Sequence, residues 1–96
     1  MTAFRWGIFG TGAISFKFVA GLAAAKGAKA SFIASRSLDR ARSFADAMGI
    51  DRAFGGYDEA AAAGGVDAIY VATPPAMHAE HALAALRAGI PVLVEK

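Results

Sequence analysis

FRWGIFGTGAIS, Phe4 to Ser15, decides how the rest of the chain is read, because a short apolar run breaks there into a glycine turn and then into a helix. Phe4, Trp6, Ile8 and Phe9 suit a buried strand. Gly10-Thr11-Gly12-Ala13-Ile14-Ser15 keeps the spacing G-x-G-x-x-G with serine in the third place, a spacing that cradles a dinucleotide when it joins a strand to a helix. Gly10 has no Cβ and can make the tight turn, while Gly12 lets the backbone come within contact distance of a pyrophosphate. The helix that follows aims free N–H groups and the positive end of its dipole at the same spot. Ser15 departs from the glycine that allows close helix-to-strand packing, but serine is small enough to fit.

Composition narrows the class. The 96 residues make one domain or part of one, and 56% of them are hydrophobic, above the usual range of about 45–50%. Much of the excess is alanine, which suits a sheet closely covered by helices on both faces. A net charge of +2 without any Lys/Arg cluster interleaved with aromatics speaks against a nucleic-acid partner. The absence of cysteine removes disulfides, thiolate nucleophiles and zinc-thiolate sites. Arg5, the apolar stretch to Ala25 and the small residues near Ala28 also have the layout of a secretory leader, although Lys17 interrupts it and the glycines fit the turn better. No stretch approaches the roughly 20 apolar residues of a membrane span, so neither nucleic acid nor membrane is an expected partner.

Along the chain, Ile14, Phe18, Leu22 and Ala25 recur at helical spacing and are expected to form the core face of a helix that Lys26-Gly27 ends. Lys29 to Ala34 reads as a second strand. Ser37 is the expected N-cap of a helix with Leu38, Ala41, Phe44, Ala45 and Met48 as its apolar stripe and Gly49 as its stop. A short strand around Ala53-Phe54, a helix from about Asp58 to Ala63 and a strand from Val66 to Thr73 follow. Pro74-Pro75 then stops the strand, and a helix from about Met77 to Ala88 is expected to turn Ala82, Leu83 and Leu86 inward. Pro91 to Glu95 is the fifth strand. This alternation predicts a three-layer, doubly wound α/β fold whose parallel sheet has the order 3-2-1-4-5. Ligands of such sheets bind at the carboxyl ends of strands one and four, where the winding reverses.

A dinucleotide fold that selects NAD places Asp or Glu at the end of strand two to hold the ribose 2′-OH. No carboxylate precedes Asp39 here; Ser35, Arg36, Ser37 and Arg40 stand in that region instead and suit a 2′-phosphate, favouring NADP with NAD as the alternative. Arg40 falls in the first turn of its helix, where a cation opposes the dipole, so a functional reason for it is expected. The alternative is two solvated arginines with Asp39 offsetting Arg40. His78 and His81 lie three apart but lack a third ligand spaced with them, so no metal is expected, and His81 reads as a partly exposed helix residue.

VATPPAMH (Val71 to His78) and HALAALRAGIPVLVEK (His81 to Lys96), together with the glycine turn, resemble the Gfo/Idh/MocA group, the glucose-fructose oxidoreductase and inositol dehydrogenase family. The likeness covers the whole chain. It implies a Rossmann domain in which Gly10, Gly12, Ala13 and Ile14 line the pyrophosphate and adjoining ribose, with Thr11 in the same turn, and Ser35, Arg36 and Arg40 meet the 2′-phosphate. It further implies that Thr73, Pro74 and His78 border the nicotinamide ribose, that Glu95 lies by the nicotinamide, and that Lys96 is the catalytic lysine, acting on the charge at a substrate oxygen. Pro75 departs from the family's T-P-N by removing an amide, and the sequence stops before the proline expected after Lys96. Residues 1–96 are therefore expected to be an incomplete dinucleotide-binding domain, inactive alone and lacking the second α/β domain that supplies the substrate pocket. The implied activity is hydride transfer between a nicotinamide cofactor and a secondary hydroxyl or carbonyl of a sugar, polyol or diol. A small-molecule substrate, a homo-oligomeric full-length protein and a cytoplasmic location complete the expectation. The rival is a dinucleotide-sensing or scaffold protein without turnover, against which the retained Glu95-Lys96 argues.

Overall fold

The computed structural model describes residues 3–25 and 27–95. Phe4–Phe9 is the central strand, β1, and the chain then runs α1 (Ala13–Ala24), β2 (Ala28–Ala34), α2 (Leu38–Met48), β3 (Arg52–Phe54), α3 (Tyr57–Ala63), β4 (Ala68–Val71), a 3-10 turn (Pro75–Met77), α4 (His78–Arg87) and β5 (Val92–Val94). The five strands pair in parallel in the order β3-β2-β1-β4-β5, as the alternation of strands and helices predicts. The strands expected at Val66 to Thr73 and Pro91 to Glu95 are shorter, because the ladder between them runs only from Ile69 opposite Val92 to Val71 opposite Val94.

Alternation along the strands divides the core between the two faces of the sheet. Ile8, Ile33 and Tyr70 turn to one face and pack with Val19, Ala41, Phe44 and Ala45 of α1 and α2. Phe9, Phe32, Ile69 and Val71 turn to the other and pack with Ala60, Ala61 and Ala85 of α3 and α4. Gly7 is glycine because of this packing: a Cβ there would lie 2.3 Å from the buried Phe32 ring.

Several expectations about which residues face inward are corrected, among them Leu38 of the expected α2 stripe, which is exposed. In α1 the fully buried positions are Ser15 and Val19, whereas Ile14 is 44% and Phe16 51% exposed and Ala25 lies outside the core. Nearly every residue of α1 is apolar, so hydrophobic spacing has too little contrast to select a face. In α4, His81, Ala84 and Ala85 are buried while Leu83 and Leu86 are exposed. The alanines of α4 and α3 let those helices approach closely, which the larger leucines would prevent. His81, expected to be partly exposed, is 4% exposed. Phe4 is exposed as well, at the outer end of β1.

No helix among the described residues is long and apolar enough to cross a membrane. Among them, no group of three or more His, Asp or Glu residues is placed to hold a metal ion.

Candidate functional site

The carboxyl ends of β1, β2, β4 and β5 open into a cleft of about 1030 Å³. At its centre Gly10 has φ +108°, a conformation that L side chains rarely adopt, and a Cβ there would lie 3.2 Å from the Ala72 main chain. Gly10 N–H donates to the Ala34 carbonyl at 2.9 Å, tying the turn to the neighbouring strand. Gly12 differs: a Cβ on it would meet no protein atom within 4 Å, so its missing side chain leaves space in the cleft. Gly12 caps α1 without a side-chain hydrogen bond, and the first turn carries no acidic residue. Among the described residues no side chain caps the N–H groups that open that turn, which fits an anion. Thr11 and Ile14 line the cleft beside them, and Ala13 begins α1 with its side chain exposed.

On the β2 side the lining is Ser35, Arg36, Ser37 and Arg40. Both serines hold the loop as well as facing the cleft. Ser35 Oγ accepts from the Ser37 N–H at 3.2 Å, and Ser37 Oγ accepts from the Arg40 N–H at 3.3 Å, the N-cap expected of Ser37. Each hydroxyl keeps its own proton for a ligand. Arg36 and Arg40 are exposed, so two guanidinium groups stand at this end of the cleft.

The β4 and β5 side brings Thr73, Pro74, His78 and Glu95 to the same cleft. His78 Nε2 lies 2.5 Å from the Thr73 carbonyl, which can only accept, so that nitrogen carries the proton. Thr73 Oγ1 is paired at 2.6 Å with Nδ1 of the buried His81. Burial holds His81 below its ordinary pKa of 6.5, helped by His78 and Arg36 and opposed by Glu80 and Asp58. Tyr57 lies against the His81 ring at 4.0 Å and also lines the cleft. Burial raises its phenol, with Arg36 pulling the other way. Tyr70 O–H donates to Glu95 Oε2 at 2.5 Å.

Twelve of the thirteen non-catalytic residues singled out in the sequence therefore line one cleft, with Ala13 beside it. Lys96 lies outside the described residues. Sequence reasoning missed Tyr57, Tyr70 and the burial of His81. The available signal was chemical: a tyrosine inside an apolar strand needs a partner for its hydroxyl, but the sequence does not say which.

Comparison with known proteins identifies the family and the fold. The profile of the family described as "Oxidoreductase family, NAD-binding Rossmann fold", GFO_IDH_MocA, matches residues 4–96. An uncharacterised oxidoreductase of Rhizobium meliloti is 42% identical over 97 aligned positions, covering 100% of this chain and 29% of the relative. D-xylose 1-dehydrogenase (NADP(+)) 2 of Haloferax volcanii is 40% identical, covering 95% of this chain and 28% of its own length. The crystal structure of KijD10, a 3-ketoreductase from Actinomadura kijaniata in complex with NADP and TDP-benzene, superposes with a TM-score of 0.90 at 36% identity, covering 99% of this chain and 29% of that one. The chain thus spans between a quarter and a third of the length of these proteins. With a glycine turn on β1, a β3-β2-β1-β4-β5 sheet and a profile match from residue 4 to residue 96, the chain belongs to the Gfo/Idh/MocA oxidoreductase family with its NAD-binding Rossmann fold.

Proposed function

We propose that residues 1–96 are the dinucleotide-binding part of a longer NADP-preferring oxidoreductase, one that moves a hydride between the nicotinamide and a secondary hydroxyl or carbonyl of a sugar, polyol or diol. The observation that carries the cofactor preference is the β2 end of the cleft, where two serine hydroxyls and two guanidinium groups meet and no carboxylate lines the wall. The glycine turn at β1 holds the pyrophosphate through the first-turn N–H groups of α1, with Thr11, Ala13 and Ile14 against the adjoining ribose. Arg36 and Arg40 pair with the 2′-phosphate, and Ser35 and Ser37 donate to it. Thr73, Pro74 and His78 border the nicotinamide end, and Glu95 stands beside the ring.

When bound, the nicotinamide supplies or accepts the hydride. Lys96 holds the substrate oxygen and stabilises the charge that builds on it, which is a transition-state role. The sugar and diol substrate class is supported by relatives named as a D-xylose dehydrogenase and a 3-ketoreductase. That this chain spans less than a third of such relatives supports a substrate pocket built by chain beyond residue 96. Assembly with further copies and a cytoplasmic location complete the reading.

Charge-assisted hydrogen bonds contribute about 1.5–3 kcal/mol, so NADPH is expected to bind about 10- to 100-fold more tightly than NADH. Calorimetry on the native protein tests this. Equal affinities, or an Arg36→Ala, Arg40→Ala double variant that keeps the preference, would sink the NADP assignment. Lys96→Met is expected to abolish turnover while leaving NADPH affinity nearly intact, and near-normal kinetics would remove Lys96 from the chemistry.

A further inference from the structure

Glu95 places a carboxylate in a cleft otherwise furnished with donors and cations, and the structure fixes it there by a residue that does not itself line the cleft. Tyr70 is 5% exposed in the centre of β4, its ring stacked on Phe18 of α1 at 3.8 Å with an interplanar angle of 4°. Its O–H donates to Glu95 Oε2 at 2.5 Å, a length in the range of a hydroxyl bonded to an ionised carboxylate. Burial, and next the bond and charge of Glu95, push the Tyr70 phenol up to about 12, so it remains a donor at neutral pH. A tyrosine has one hydroxyl proton, and here it is spent on Oε2. The Glu95 N–H also donates to the Val71 carbonyl at 2.9 Å, fixing the backbone from which the carboxylate projects.

The sheet order says which part of a dinucleotide this carboxylate meets. The cations stand at the end of β2 on one side of β1, the anion-binding turn stands on β1, and Glu95 follows β5, two strands away on the opposite side. A dinucleotide anchored by a phosphate at β2 and its pyrophosphate at β1 has only its nicotinamide half left to extend over β4 and β5. That half is a pyridinium cation when oxidised and neutral when reduced. A fixed carboxylate attracts the first and gains nothing by charge from the second.

We propose that Glu95, positioned by Tyr70, makes this cleft discriminate between the redox states of the cofactor, favouring the oxidised form through the charge of its nicotinamide. The pair shifts the bound redox equilibrium toward NADP+, and Tyr70 contributes by restricting the carboxylate rather than by touching the cofactor. The inference rests on the dinucleotide reading given above.

The test is the pair of dissociation constants for NADP+ and NADPH, measured by calorimetry on the native protein and on Glu95→Gln and Tyr70→Phe, with no substrate present. Glu95→Gln is expected to weaken NADP+ by about three- to tenfold while moving NADPH less than about twofold, the scale of a partly screened ion pair. Tyr70→Phe keeps the ring stacked on Phe18 and is expected to move the ratio the same way by a smaller factor. If Glu95→Gln changes both affinities equally, the charge argument is overturned. A Tyr70→Phe ratio at the wild-type value overturns the positioning role. Failure of the wild type to bind either form overturns the dinucleotide reading, and this inference with it.

Discussion

Ser15 is fully buried in the first turn of α1, and its hydroxyl has no hydrogen-bond partner among the described residues. An unsatisfied buried hydroxyl costs on the order of 1–3 kcal/mol, and alanine is also the better helix former. Ser15→Ala is therefore expected to stabilise the protein by about 1 kcal/mol in urea unfolding without changing nucleotide affinity. A destabilised variant would show that the hydroxyl is used. Gly7→Ala is expected to act in the other direction, because its Cβ would intrude on the Phe32 ring, which is fully buried; overpacking of this kind costs about 1–3 kcal/mol. His81 sets a pH dependence. Its pKa is lower in the folded than in the unfolded chain, so the unfolded state takes up the proton first as pH falls. The stability associated with a neutral His81 is complete above the unfolded value of 6.5 and is lost as pH drops from there toward the folded pKa. Melting temperatures from pH 8 to pH 5 should show this fall, and His81→Asn should flatten it; an unchanged profile in the variant would assign the fall to other groups.

Among the elements, α2 joins stability to the site most directly. Ser37 caps it through the Arg40 N–H, and that same turn carries Arg40 to the cleft. Ser37→Ala is expected to cost about 1 kcal/mol of stability. It should also weaken NADPH more than NADH, since it both removes a hydroxyl donor and loosens the turn that holds a guanidinium. Equal loss for the two nucleotides would confine Ser37 to capping. α1 is organised differently, because its N-terminus is left without a capping side chain and opens onto the cleft. Stability there comes from Val19 against the sheet and from the Trp6, Phe18 and Tyr70 ring contacts.

At the scale of the molecule, the sheet separates two cores that touch different helices. Ile33 on β2 belongs to the layer under α1 and α2, and Ile69 on β4 to the layer under α3 and α4. Ile33→Val and Ile69→Val are each expected to cost about 0.5–1.5 kcal/mol. Because they share no partner and have β1 between them, the double variant should equal their sum within about 0.5 kcal/mol. A larger deviation in denaturant midpoints would mean that the layers communicate through β1. The cations at one end of the cleft give the whole site a salt dependence: the preference for NADPH over NADH should shrink as ionic strength rises, since exposed charges are screened within about 10 Å at 0.1 M.

The sequence by itself determined the order and type of the elements, because each boundary carries a local physical cause. Gly10 ends β1 through a conformation other residues avoid, Ser37 starts α2 with a hydroxyl, and Gly49 stops it in the left-handed region. The strand order followed from handed crossovers, and the cleft followed from the strand order. The sequence could not decide which side of an almost wholly apolar α1 faces the sheet, nor that the alanines of α4 rather than its leucines pack inward. Those choices depend on how closely two surfaces approach, a property of the pair and not of either segment. Tertiary structure alone also joined Tyr70 to Glu95 and Thr73 to His81. The first pair is 25 residues apart in sequence, and it meets only because β4 and β5 lie side by side.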